Sequence, residues 1–429
     1  MMNRIHGQCL SAVVSLALFS GLTALAEEGV SSNSNGLILK SVTEMLEVIQ
    51  KNGLPLDEQA ASRAVLEALI KVADPSSRIQ TVEEVNLAKD RQQGFIYDVG
   101  VKVRATNGLP VVVEVAEDSV AATAGIKAGE MIEKIGDQEI LSGTSAQAVA
   151  RMLRSYKPGR VTVKIRDAEG VSRDVDLERS RIKLQAVELA EELPLGLCYL
   201  QLNGVFEGCG RDVVSSLRGW AESGRVGVVI DLRGADGMDL ESVADIAGVF
   251  AESGAMLFAV RDMDNQDIGV YKAKTQTILG MPAMVLVDRE TTGAAEILAA
   301  VLSGSVRGAM LLGNVTGGDP VVRDWIALSS GESLYTVARR IVLADGHIYD
   351  GREGVKPDVI LSENAPVVPE FEPEVAPVNG REITEEEKQD KKLRERVKND
   401  AALRRAADVL LGLKALNIRG AGFSENPTN

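Results

Sequence analysis

Apolar and polar positions change period several times along the chain, and each change marks a different kind of element. From Leu10 to Leu25 the residues are apolar or small, with no periodicity. Residues 27–36 are rich in Ser, Asn and Gly and predict a flexible linker. Leu37, Leu39, Val42, Leu46 and Ile49 recur near helical spacing, and a second helical pattern runs from about Asp57 to Val72. Asp74-Pro75-Ser76-Ser77 predicts a turn. Thr81 with Glu84 three residues on has the reciprocal pattern of a capped helix start.

Residues 93–180 read differently. Pro110–Ala116 and Val161–Asp167 are β-rich, and Thr144–Tyr156 is an amphipathic helix pattern. From residue 196 strands and helices alternate. Leu197–Leu202, the run into "VVIDLRG" and Ala283–Val287 are apolar strand patterns, each followed by a helical stretch, which indicates an α/β layer. Residues 331–361 predict hairpins. Ala365–Gly380 is rich in Pro, Glu and Val and predicts an extended linker. Thr384–Leu416 reads as one charged helix that turns apolar at its end, its charges a solvated face.

Composition narrows the function classes. The chain has 429 residues and is 45% hydrophobic, enough for two or three domains at roughly 100–200 residues each. The segment Leu10–Leu25, with Arg4 before it and Ala24-Leu25-Ala26 after it, predicts a secretory signal removed after residue 26. The expected location is therefore the periplasm or the extracellular space, with no stable membrane insertion after cleavage. Net charge is −15, and cleavage makes it one unit more negative. Nucleic acid is a poor partner for such a surface. Cys198 and Cys209 are too few for a disulfide scaffold, although an oxidising compartment leaves their pairing open. His347 is the one histidine of the mature chain, so no His-rich metal site is expected, and no cofactor.

Two sets of residues carry a resemblance to known proteins. Ser119-Val120-Ala121, Ala124-Gly125, Gly129-Glu130, Ile132 and Ile135-Gly136 are similar to the S-P-A-x-x-A-G-L-x-x-G-D-x-I-x-x-I-x-G pattern of PDZ domains. Such domains add a peptide to a sheet edge and hold its terminal carboxylate on backbone N–H groups. The resemblance assigns that role to Val99, Gly100 and Val101. It also sets Asp98 where the family usually has glycine, a negative charge that weakens the case for C-terminus capture. Retention of the fold for packing alone is the other reading.

The second resemblance spans nearly the whole mature chain and is to the C-terminal processing peptidases, or tail-specific proteases. "ADPSSRI", "LCYLQLNGVF", "VVIDLRGADGM", "LVDRETTGAAEI", "GREGVKPDV" and "NDAALRRAADVLL" resemble that family's motifs in order around the PDZ segment. It implies a crotonase-like spiral of β–β–α units with an inserted PDZ domain. The implied boundaries are 1–26 signal peptide, 27–92 linker and helical region, 93–180 PDZ domain, 181–364 peptidase-like core, 365–383 linker, and 384–429 C-terminal helix and tail. The family's chemistry is a serine nucleophile, a lysine base, a glutamine that orients it and an oxyanion loop. Matched onto this chain, the nucleophile position is Gly293, the lysine position Asp319, the glutamine position Arg323, and the oxyanion loop keeps Gly237 beside Met238. No lysine occurs between Lys274 and Lys356.

These replacements imply a pseudopeptidase that binds peptides or unfolded protein C-termini without hydrolysis. A rebuilt site using Thr292 as nucleophile, with Asp319 or His347 as base, is the enzymatic alternative. A regulatory subunit or scaffold for an active paralogue, or a homo-oligomer built on the helical ends, is the third reading.

Overall fold

The computed structural model describes residues 35–106, 109–142, 144, 146–274, 281–318, 320–350, 352–361, 384–398 and 400–418. The predicted signal segment and the linker over 365–383 lie outside them. So does Asp319. Contacts divide the chain into Met1–Leu69 and Ile70–Asn429. In the first unit the Asn35–Lys51 helix and the start of the Glu58–Ala73 helix match the two helical patterns. Among the described residues, no helix is long and apolar enough to cross a membrane.

In the second unit a six-stranded sheet has the order Val187–Glu192, Leu197–Leu202, Gly227–Asp231, Ala283–Val287, Ala309–Gly313 and Val359–Ile360. Its first pair is antiparallel and the rest are parallel. Alternate residues of these strands point to opposite faces, and both faces are covered, so the strands read as unbroken apolar runs. Cys198, Leu200, Val228, Ile230, Ala283 and Val285 pack against the helices Gly210–Glu222, Leu240–Gly248 and Gly293–Gly304. On the other face Leu197, Tyr199, Val229, Met284 and Leu286 meet Leu393, Leu403, Ala406 and Leu410 of the C-terminal helices.

The C-terminal segment corrects one expectation. It is two helices, Glu385–Val397 and Ala401–Ala415, not one. Asp400 breaks the run because its carboxylate accepts the Leu403 N–H at 3.0 Å and caps the second helix. The same carboxylate pairs with Arg233, which also holds the fully buried Asp231.

A separate sheet, in the order Val101–Thr106, Leu109–Val115, Met131–Ile135, Arg160–Arg166 and Ser172–Glu178, surrounds the PDZ-like core of Val112, Ile132, Val149, Leu153, Val163 and Ile165. The strands Phe95–Asp98 and Ser180–Lys183 pair at its base, where chain enters and leaves. The helix beside its edge strand is Ala146–Leu153, shorter than the sequence pattern. Beyond it the chain turns extended at Ser155 to bridge Tyr97. Cys198 and Cys209 are both free and buried, so they do not pair.

Candidate active site

The strand Ala283–Val287 delivers the chain to a tight turn, and the turn starts the Gly293–Gly304 helix. Thr291 closes this turn. Its hydroxyl accepts the Asp288 N–H at 3.0 Å and donates to the Leu232 carbonyl at 2.9 Å, and the residue is fully buried. Its role is therefore structural. Thr292 is the N-cap residue, with extended backbone and no side-chain capping bond. Its N–H donates to the Ala235 carbonyl at 2.9 Å, which seats the turn on the loop that precedes Gly237.

Gly293 adopts φ +57°, a left-handed conformation that favours glycine. A Cβ there would stand 2.4 Å from the Gly237 carbonyl oxygen and 2.5 Å from Asp236 Oδ1. Both neighbours are hydrogen-bond acceptors, one of them charged. An acyl-transfer site needs room for a nucleophile and N–H donors for the oxyanion; the nearest atoms here supply neither. Asp236 and Gly237 are fixed by a parallel bridge to Gly204 and Val205. Gly237 itself has φ +121°, and a Cβ on it would meet the Val205 carbonyl oxygen at 2.3 Å. Met238, which the resemblance assigns to the oxyanion loop, is 54% exposed.

Arg91, which the sequence reading did not single out, reaches this place from the Val82–Gln92 helix. Its Nε lies 2.5 Å from Asp236 Oδ2, and its Nη2 donates to Thr292 Oγ1 at 3.1 Å. Its guanidinium lies 4.0 Å from the Tyr156 ring centroid. Burial alone lowers the Arg91 pKa, but the Asp236 carboxylate and the neighbouring tyrosines outweigh it and raise it above its ordinary value. The group touching the Thr292 hydroxyl is thus a permanent cation, which cannot take a proton. Two hundred residues separate Arg91 from Thr292, and nothing in their local patterns announces the contact.

The segment Gly313–Gly318 packs on the same turn. A Cβ on Gly317 would coincide with the Arg289 carbonyl, and one on Gly318 would lie 3.4 Å from Thr292 Cγ2. Thr316 donates its hydroxyl to the buried Glu296 carboxylate and accepts the Val355 N–H at 2.8 Å. Arg323 is spent elsewhere: its Nη2 donates to Ser76 Oγ at 2.8 Å, and its Nη1 lies 3.6 Å from Asp74. Burial raises the Asp74 pKa, but bonds from Ser76 and Ser77 and the Arg323 charge bring it below its ordinary value. His347 lies on the late hairpin, exposed, against Glu353 and the Tyr349 ring.

Val99 and Gly100 form the short loop that enters the PDZ edge strand at Val101. Three side chains, one in the last turn of the flanking helix and two just beyond it, fasten this domain to the core. Arg151 pairs with Asp288 and Glu290 at 3.0 Å each, Arg154 donates to Asn203 Oδ1 at 3.2 Å, and Tyr156 receives Arg91.

Residues 196–361 match the model of peptidase family S41, and residues 111–167 match a PDZ domain. Over residues 196–361 the chain is similar to the S41 peptidases. It is 24% identical over 303 residues to the carboxy-terminal processing protease CtpA of Bacillus subtilis (strain 168), covering 71% of this chain and 64% of that one. It is 26% identical over 320 residues to the carboxy-terminal-processing protease of Bartonella bacilliformis, covering 73% and 72%. The chain thus spans just under two thirds of the Bacillus relative. A solved S41-type chain from Bacteroides fragilis superposes over 81% of this chain and 90% of its own, with a TM-score of 0.50 at 16% identity, a likeness of fold. Within residues 196–361, the turn from the strand Ala283–Val287 into the following helix carries glycine at position 293.

Proposed function

We propose that this S41 chain is an exported pseudopeptidase that binds polypeptide through its PDZ domain and does not hydrolyse it. One observation carries the reading: the place of a nucleophile's side chain at Gly293 is closed by the Gly237 carbonyl and the Asp236 carboxylate. Arg91 on Thr292 supports it, because a threonine nucleophile needs a base at its hydroxyl and finds a guanidinium. Removing a nucleophile by itself commonly abolishes most of the rate. Export rests on the sequence of residues 1–26.

The test is proteolysis of unfolded β-casein by purified mature protein, beside Thr292→Ala and a mock purification. No cleavage above the mock is expected. Cleavage that disappears in Thr292→Ala establishes a rebuilt threonine site and ends the proposal.

Assembly with a second copy or with an intact paralogue is a compatible reading. Leu37, Leu39, Met45 and Val48 of the Asn35–Lys51 helix are all more than half exposed, an apolar surface suited to helix pairing. Light scattering of the mature chain, with and without residues 27–56, tests it; an unchanged monomeric mass in both rules out self-assembly through this helix.

A further inference from the structure

The PDZ loop holds an anion already, and the anion is its own. Asp98 ends the strand Phe95–Asp98 and is buried. Its Oδ1 accepts the Val99 N–H at 2.6 Å and lies 3.4 Å from the Gly100 nitrogen, which also donates to it. Its Oδ2 faces Arg154 Nε at 3.3 Å. Two of the three backbone N–H groups that would grip a terminal carboxylate are therefore turned onto an internal one. Loop movement that would free them is restricted. Gly100 sits at φ +84° with its Cβ position 2.3 Å from Ser119 Cβ, and the Val99 and Gly100 carbonyls accept the Ala121 and Ala116 N–H groups.

The nearby cation is committed as well. Arg154 also donates to Asn203 Oδ1 at 3.2 Å and lies 3.6 Å from Glu188, so its charge is shared between two carboxylates before any ligand arrives. An incoming C-terminus would meet a like charge and spent donors. The rest of the groove is unaffected. The strand Val101–Thr106 is the edge of its sheet, hydrogen-bonded on one side to Leu109–Val115, with the Ala146–Leu153 helix alongside. A strand that adds to such an edge is held by main-chain hydrogen bonds, and these require no chain end.

We infer that this PDZ domain recognises an internal extended segment of a partner polypeptide, with Asp98 barring free C-terminal carboxylates. The inference rests on the peptide-binding reading given above and specifies its ligand.

The experiment compares short peptides tiled through β-casein, each made as the free acid and as the C-terminal amide, for binding to the mature full-length chain, Asp98→Gly and Asp98→Asn. Asp98→Asn keeps the side-chain shape and removes the charge, so it remains informative if Asp98→Gly fails to fold. The wild type is expected to bind acid and amide within about twofold, while Asp98→Gly prefers acids by about tenfold and Asp98→Asn moves in the same direction. A wild type that prefers acids by about tenfold overturns the inference and leaves peptide binding standing. Folded variants with no gain in acid preference remove Asp98 as the determinant. No peptide bound by any of the three proteins overturns the peptide-binding reading, and the inference with it.

Discussion

Gly293 lies so close to Gly237 that it accepts no side chain: a Cβ on Gly293 would lie 2.4 Å from the Gly237 carbonyl oxygen. The turn from strand to helix has no room for a side chain at this position. Gly293→Ser is therefore expected to lower stability without producing casein cleavage. A left-handed non-glycine residue costs about 1–2 kcal/mol, and forcing atoms into a filled space adds about 1–3 kcal/mol. Gly219→Ala is the control. It lies in a helix with nothing within 4 Å of its Cβ position, and the change should stabilise by about 0.5–1 kcal/mol. Thermal unfolding of both variants checks the contrast; a Gly293→Ser protein as stable as wild type refutes the closed-turn account.

Much of the architecture is legible in the sequence because its signals are local. The apolar strands Leu197–Leu202 and Ala283–Val287, the Thr81–Glu84 capping box and the PDZ residues around Gly129 each depend on neighbours in the chain. The break at Asp400 is hidden in the sequence because a charged run favours helix on either side, while the cap that interrupts it depends on one aspartate also being held by Arg233. Arg91 was invisible for a stronger reason. It lies in an ordinary polar helix, and only the tertiary fold brings Asp236, Thr292 and Tyr156 to it. Asp98 stands in the sequence as a charge where the PDZ pattern has glycine; that it turns back onto its own loop is a matter of geometry.

The Asp400–Arg233 pair sets an acid limit on stability. Burial raises the Asp400 pKa, but the Arg233 charge and the Leu403 N–H lower it further, and the net value lies below the ordinary 3.8. In the window between the folded and unfolded values, the unfolded chain binds more protons, so stability rises with pH there. The stabilisation is complete above 3.8 and is lost as pH falls through the folded value. Denaturant titrations at pH 3 and pH 6 should show a smaller difference in Asp400→Asn than in wild type. Equal differences would remove this pair from the acid response.

The two cysteines should be silent in the folded protein. Burial, then the Glu192 charge, pushes the Cys198 thiol up to about 12, and burial also raises Cys209. At pH 8 a thiol of that pKa is ionised in only about one molecule in ten thousand, and the thiolate is the reactive form. Titration of the mature chain with a thiol reagent should therefore find almost no reaction until guanidinium unfolds it, when both cysteines react. Fast reaction of either cysteine in the native protein would contradict the buried placement.

Arg91 should matter more to stability than its place on a polar helix suggests. Its side chain is 33% exposed, but its partner Asp236 is 12% exposed and lies against Gly293. Arg91→Ala strands that carboxylate, and the loss of one partner of a buried pair costs about 3–5 kcal/mol, here reduced toward about 2–3 by the exposure of the arginine. Arg91→Lys should recover only part of this, because one ammonium cannot serve Asp236 and Thr292 and also lie over the Tyr156 ring as the planar guanidinium does. Adding Asp236→Asn to Arg91→Ala removes the stranded charge, so the double variant should be more stable than the sum of the single changes predicts, by about 1–3 kcal/mol. Additive losses in that cycle would mean the two residues are not coupled. None of these variants should cleave casein, because releasing Thr292 from the guanidinium supplies no base to the hydroxyl.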